Sequence, residues 1–289
     1  MAVTTDLYKY SPSVGAAVFF AILFGITTLI HTYQIIRTQT WFLIPFLVGG
    51  YFELGGYIAR TLSAQETPNW TIGPFIIQQL LLLVAPALFA ASIYMELGHI
   101  IQLVHGERRS IISRRWLTKI FVAGDIVSFL AQCAGSMAGS SQSAVHTGQT
   151  IILCGLVAQI LSFLLFVHTA VIFHLRVRSR PTRKLLSEPA IPWQKHMFAL
   201  YGGSVLILIR CVFRLVEYAG GRDGPIMSHE IFLYIFDSVL MWGTMVTFAV
   251  VHPSQVNALL IGDGAKAVRK VVSVYRIVVS GDLRETQTR

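Results

Sequence analysis

A chain of 289 residues that is 54% apolar and only 13% charged is not a water-soluble domain, which carries about 25% charged residues. Its net charge of +9 does not mark a nucleic-acid binder, because the basic residues fall in short segments between long apolar runs. The three cysteines, Cys133, Cys154 and Cys211, all lie inside apolar runs and read as small core residues, which excludes a disulfide framework.

A membrane-crossing helix needs about 20 apolar residues. In chain order, seven stretches meet this: 14–36, 41–62, 75–104, 116–139, 148–174, 194–216 and 229–251. The first is too long for a signal peptide and lacks a basic segment before it, so it reads as an uncleaved span. The third is the longest and holds Pro86 near its middle, which predicts a kink or tilt. Pro45 and Pro253 mark further kinks or span ends. Small residues at four-residue spacing predict close helix packing: Ala17, Ala21 and Gly25 in the first span, Gly135 and Gly139 in the fourth. The doublets Gly49-Gly50, Gly55-Gly56 and Gly202-Gly203 predict the same. The expected fold is all-α, a polytopic bundle of seven transmembrane helices. It divides into a tail at 1–13, a transmembrane domain at 14–252 and a second tail at 253–289.

Lysine and arginine counts orient the bundle. One side carries Arg37, then Arg108, Arg109, Arg114, Arg115 and Lys119, then Arg176, Arg178, Arg180, Arg183, Lys184 and Lys195, and the basic C-terminal tail. The other carries little beyond Lys9 and Arg222. The positive-inside rule puts the N-terminus outside and the C-terminus in the cytosol, in a multi-pass protein expected at the plasma membrane, with an endomembrane as the alternative. The sequon Asn69-Trp70-Thr71 falls in an outside loop, consistent with this. From Lys266, apolar Val268, Val271, Val272, Tyr275, Val278 and Val279 recur at helical spacing opposite Lys266, Arg269, Lys270, Ser273 and Arg276. That pattern predicts an amphipathic helix on an anionic lipid surface.

Ionisable residues inside spans are the informative ones. Each costs about 2.5–3.5 kcal/mol at mid-bilayer, so each is expected to face the bundle interior with a partner. Span two carries Glu53, Tyr57 and Arg60 on one face. Span six carries Arg210, Arg214 and Glu217, and span seven Glu230, Tyr234 and Asp237, at the same spacing. Span four has Asp125, Ser128 and Gln132 on one face. Two polar tiers follow from their depths. Glu53 is near mid-membrane, and Arg60, Arg210, Arg214, Glu217, Glu230 and Asp237 lie in the outer half. Glu96, His99, Asp125, His168 and His252 lie in the inner half. The outer tier is either an ion-pair network that fixes helix packing or a substrate site. Arg210 and Arg214 suit a phosphate or carboxylate, and Asp237 or Glu53 an amine.

Nine histidines raise the question of a metal. No two stand at the i, i+4 spacing of a helical zinc site, and no metal or other cofactor is expected. The seventh span has no lysine, which argues against a retinal protein, and no nucleotide-binding loop is present.

The segments from Tyr51-Phe52-Glu53-Leu54-Gly55-Gly56-Tyr57 to Arg60, and from Ala85-Pro86-Ala87 to Tyr94, form a recognisable series. It continues through Gly124-Asp125-Ile126-Val127-Ser128, Gln132, Gly135, Gly155 and Gln159. It ends with Arg210-Cys211-Val212-Phe213-Arg214, Glu217-Tyr218, His229-Glu230, Tyr234, Asp237 and His252-Pro253. In these segments the chain resembles the fungal lipid-translocating exporter family, the RTA-like proteins linked to aminocholesterol resistance. The resemblance implies seven helices with the N-terminus outside, and movement of amphipathic lipids such as sphingoid bases. It also implies resistance to toxic amphiphiles, with porphyrin or haem handling in some members. The recurring polar residues of the family fall on Glu53, Arg60, Asp125, Gln132, Arg210, Arg214, Glu217, Glu230 and Asp237.

The leading expectation is therefore a lipid translocator or exporter, its substrate met by the polar faces of spans two, four, six and seven. Membrane lipids are its surroundings and a sphingoid base its type of cargo. A second reading is a membrane-embedded enzyme using Glu53, Asp125 and Asp237 for acid–base chemistry on a lipid or terpenoid. A third is a seven-span receptor.

Overall fold

The computed structural model describes residue 10 and residues 12–67, 70–136, 142–187, 191–220 and 229–261. Every regular element among them is helical. In chain order these are α1 (Val14–Thr38), α2 (Ile44–Gln65), α3 (Ile72–Leu103), α4 (Arg114–Ser136), α5 (Gln142–Ser179), α6 (Trp193–Ala219), α7 (Glu230–Val250) and α8 (Ser254–Ile261). The first seven are each long and apolar enough to cross a membrane, one for each predicted stretch, and the protein is an integral multi-pass membrane protein. The longest helix is α5, at 38 residues against 32 for α3. The apolar run in α5 is the shorter one, but its helix continues through the basic turn at 175–179.

Local chemistry sets the ends. Ser13 caps α1 by accepting from the Ala16 N–H at 3.4 Å, which satisfies one of the free donors of the first turn. Pro45 sits in the first turn of α2, where its missing N–H is not needed. Helix α1 stops at Gln39, which takes a left-handed conformation with φ 54°.

Helix α3 is the centre of the bundle and packs on α2, α4, α6 and α8. Around it α1 packs on α2, α4 on α5, α5 on α6, α6 on α7 and α7 back on α1. The end where α1 begins is the amino end; the end where it finishes, with the arginine-rich connections, is the basic end. There Arg176 donates to the Arg109 carbonyl at 3.1 Å and Arg109 to the Pro181 carbonyl at 3.2 Å, tying two connections together.

Helix α1 has the polarity of a water-soluble helix turned inside out. Thr27, Thr28, His31, Gln34 and Thr38 are buried, whereas Phe19, Ile22, Ile26, Leu29 and Ile36 are exposed. An exposed apolar stripe of that length is stable only against lipid. Two of the buried threonines return their hydroxyls to their own helix, Thr27 to the Leu23 carbonyl and Thr38 to that of Gln34.

Several glycines are required by close approach, Gly135 and Gly49 among them. A Cβ at Gly135 would lie 2.5 Å from the Gly148 carbonyl oxygen, where α4 meets α5. At Gly49 it would lie 2.8 Å from the Phe89 ring, between α2 and α3. Gly25 and Gly202 leave room for a methyl group, so the small residues there are not needed for contact.

Lys9, Asn69 of the sequon, Gly139, Arg222 and the helix expected from Lys266 lie outside the described residues. Beside the sequon, the Thr71 hydroxyl and N–H donate to Glu66 at 2.7 and 2.8 Å. Those bonds hold the Glu66 carboxyl below its ordinary range.

Candidate functional site

The amino-end polar residues resolve into two linked clusters. In the first, Arg60 of α2 is fully buried and reaches α7, where its Nη2 donates to Glu230 Oε1 at 2.6 Å and its Nε to the Tyr234 hydroxyl at 3.1 Å. Tyr234 passes its own hydrogen to Glu230 Oε1 at 3.0 Å. Nη2 also reaches the Tyr10 hydroxyl at 3.0 Å, and the Ser13 N–H donates to Glu230 at 2.9 Å. This cluster fastens the start of α1 to α2 and α7.

In the second, Arg210 of α6 donates through Nε to Asp237 Oδ1. Arg214, one turn on, contacts Asp237 Oδ2 at 3.5 Å and donates to Glu217 at 2.9 Å. Arg210 Nη2 also donates to the Leu82 carbonyl of α3 at 2.8 Å. The last bond follows from Pro86. A proline has no N–H for the carbonyl four residues before it, and the residue four before Pro86 is Leu82. The proline frees an acceptor within the continuous helix, and a guanidinium takes it.

Helix α7 is also irregular here. Tyr234–Val239 is a π-helical segment, and Tyr234, Asp237 and Ser238 within it are buried. Such segments concentrate at functional sites in helical proteins. The Ser238 hydroxyl is hydrogen-bonded to that of Tyr57 on α2, which joins the two clusters. Stacked rings wall them from α1, with Phe20 on Tyr234 at 5.2 Å and Phe24 on Tyr57 at 5.3 Å.

Glu53 is the exception. It is 2% exposed, one turn before Tyr57, and lies in the electrostatic field of Asp237, Arg210 and Arg214. Its Oε1 has no hydrogen-bond partner among the described residues, and neither has Nε of Arg214. Buried polar atoms are normally satisfied, so an unmatched acceptor and an unmatched donor in one cluster are unusual.

Asp125 and Gln132 are buried and have partners on α3 and α5. Asp125 Oδ2 accepts from the Tyr94 hydroxyl of α3 at 2.9 Å, and Gln132 donates to Gln159 of α5 at 3.1 Å. Of the residues expected in the inner tier, Glu96 and His252 are buried, His99 stacks on Phe42 at 4.2 Å, and His168 is exposed on α5. Sequence spacing did not point to the Leu82 carbonyl, Ser238 or Ser13. The first was detectable by counting four residues back from Pro86; nothing marks the other two before the helices are brought together.

A groove of about 320 Å³ opens to the lipid-facing surface between α1 and α2. Val18, Ala21 and Ile22 line one wall and Leu54, Ile58 and Leu62 the other. Leu54 neighbours Glu53 in sequence, and Ile58 and Leu62 flank Arg60.

The family described as RTA1 like protein matches residues 46–258. Protein RTM1 of Saccharomyces cerevisiae is 35% identical, over 85% of this chain and 91% of its own. Protoporphyrin uptake protein 1 of the same species is 35% identical, over 86% and 93%. The Sphingoid long-chain base transporter RSB1 of that species is 29% identical, over 80% and 69%. No solved structure matches.

Proposed function

The chain belongs to the RTA1-like protein family, and from that premise we propose that it moves an amphipathic molecule with a cationic headgroup, of the sphingoid-base type, between the leaflets of the membrane. The observation that carries this reading is Glu53. The second cluster holds three carboxylates, Glu53, Glu217 and Asp237, and two guanidiniums, Arg210 and Arg214. Asp237 and Glu217 are ion-paired with the arginines, whereas Glu53, though in the field of both guanidiniums, makes no ion pair of its own among the described residues. An ammonium headgroup supplies that missing partner. Tyr57, one turn along α2 from Glu53, is hydrogen-bonded to Ser238, and these hydroxyls can meet those that a sphingoid base carries. The apolar groove between α1 and α2 suits the tail, which stays in contact with lipid while the headgroup crosses.

Two relatives support the class of cargo. One is named a sphingoid long-chain base transporter and another a protoporphyrin uptake protein, and both cargoes are amphipathic. Expression of such a translocator gives resistance to toxic amphiphiles by clearing them from one leaflet. The amino end faces outside and the basic end the cytosol in this proposal, at the plasma membrane, with the basic tail on anionic lipid. The distribution of arginine and lysine supports that orientation. An epitope added before residue 10 is then reached by antibody on intact cells, and one added after residue 289 only on permeabilised cells; the reverse pattern refutes the orientation.

Leaflet exchange of a fluorescent sphingoid base, read by a membrane-impermeant quencher in vesicles holding the purified protein, tests the function. Exchange is expected to exceed that of protein-free vesicles. Glu53→Gln is expected to cut the rate at least about tenfold, the effect of losing about 1.4 kcal/mol of binding, while the melting temperature stays unchanged. Exchange equal to that of empty vesicles sinks the proposal.

A further inference from the structure

The basic end holds a buried polar pair that the amino-end clusters do not use. Glu96 of α3 is fully buried, and its Oε1 faces Nδ1 of His196 on α6 at 3.6 Å. His196 is buried as well, and its Nε2 meets the Gln255 side-chain oxygen of α8 at 3.2 Å. An amide oxygen only accepts, so Nε2 carries the hydrogen, and in a neutral imidazole Nδ1 is then bare. A bare nitrogen facing a carboxylate oxygen sets two acceptors against each other. The arrangement holds when one further proton sits on the ring or on the carboxyl. Neither Glu96 oxygen nor His196 Nδ1 has a hydrogen-bond partner, so nothing else in the described residues supplies that proton or locks it in place.

We propose that Glu96 and His196 form a proton-binding site that couples proton movement to cargo movement in the opposite direction. The inference rests on the translocator reading above. Ionisable residues that meet inside a membrane bundle are the usual carriers of proton relays in transporters.

Two features tie the pair to solvent and to the cargo site. A polar groove of about 440 Å³ lies at the basic end, lined by Gln102 and Leu103 of α3, Leu259 and Leu260 of α8, and His105 and Lys184. Leu259 is one turn beyond Gln255 and Leu103 two turns beyond Glu96, so the groove opens within two turns of the pair along the same helices, and in this proposal protons enter from that side. In the other direction, α3 and α6 are bridged twice. Glu96–His196 is one bridge, and the Leu82 carbonyl with Arg210 is the other. Pro86 separates the two bridges on α3. A change in charge at the first bridge alters how the two helices meet. The same helices position Arg210 against Asp237, so the two sites share one mechanical element.

The titratable group that faces His196 is His252, just before α8, which lies beside His31 of α1; on the pair's own helices His99, near Arg114 of α4, follows Glu96 by one turn and Lys195 adjoins His196. His31 donates through Nε2 to the Met245 carbonyl at 2.9 Å, and His252 Nδ1 accepts from the Ser254 N–H at 3.2 Å, so hydrogen bonds fix both tautomers. Glu96 is the one carboxylate among these groups.

The experiment uses purified full-length protein in vesicles, with a fluorescent N-trimethyl sphingoid base as probe. That cation is permanently charged, so it carries no proton itself. A pH difference of one unit is imposed across the membrane. The expected result is accumulation of the probe in the leaflet on the acid side, up to about tenfold for exchange of one proton per cargo. Glu96→Gln and His196→Gln are each expected to keep equilibrium exchange and lose the accumulation. Wild-type exchange with no response to the gradient overturns the inference and leaves the translocator reading standing. A full response in Glu96→Gln also overturns it. No exchange in any condition overturns both. The wild-type measurement decides the matter even where a variant fails to fold.

Discussion

Asp237→Asn is expected to cost about 3–5 kcal/mol of stability, the range for removing one side of a buried ion pair. Arg210 and Arg214 are both nearly inaccessible, and Asp237 is the carboxylate they share. Glu217 compensates only Arg214. The Leu82 carbonyl gives Arg210 an acceptor but no charge. Thermal unfolding in detergent reads the loss directly, with cargo exchange lost in parallel. A double variant, Arg210→Met with Asp237→Leu, separates the two effects. Replacing both partners by apolar groups removes the unpaired charge, so much of the stability is expected to return. Exchange is not expected to return. A melting temperature for Asp237→Asn equal to wild type would show that the arginines find their counter-charge elsewhere.

Gly135→Val is expected to be as damaging, by steric means. The added Cβ would lie 2.5 Å from a backbone carbonyl oxygen and 2.6 Å from Ile152 Cγ1. A carbonyl held in the second turn of α5 cannot rotate away, so α4 and α5 must separate. Overpacking of this kind costs about 1–3 kcal/mol or more, and the Gln132–Gln159 bond between the same helices is expected to break with it. The control is Gly25→Ala. Its methyl group would meet Leu54 Cδ1 at 3.6 Å, an ordinary contact, and the expected change is within about 0.5 kcal/mol. Equal melting temperatures for both variants would mean that α4 and α5 do not meet as closely as the structure places them.

These two cases show what sequence carries and what it does not. The spans were legible because about 20 apolar residues in a row have one physical meaning. The inward faces were legible too, since Arg210, Arg214 and Glu217 can share a face only if the helix turns that face away from lipid. Pairing was not legible. Spacing placed Arg60 with Glu53 and Tyr57 on α2, but its carboxylate partner is Glu230 on α7, and only the ring of helices around α3 brings those together. Asp125 looked equivalent to the other carboxylates, yet its partner is the Tyr94 hydroxyl of α3. His196 carries no signal in sequence, because polar residues are ordinary near the end of an apolar stretch. The exposed His168 runs against the expectation that an ionisable group within a span turns inward.

The inverted helix α1 has a consequence for how the protein is made. His31 donates to the Met245 carbonyl, Gln34 to that of Ala249, and Thr27 accepts from Trp242. Ser13 donates to Glu230, and Asn257 to the Gln39 carbonyl. These bonds reach across 214 to 218 positions of the chain. A chain synthesised from its N-terminus therefore presents its first span to the membrane long before the partners of that span exist. Throughout translation His31 and Gln34 face lipid or a helper protein, and the ring of helices closes only when the seventh span arrives. Chains that stop short of it display two unsatisfied polar side chains within the bilayer, a mark by which membrane quality control can tell an unfinished copy from a finished one.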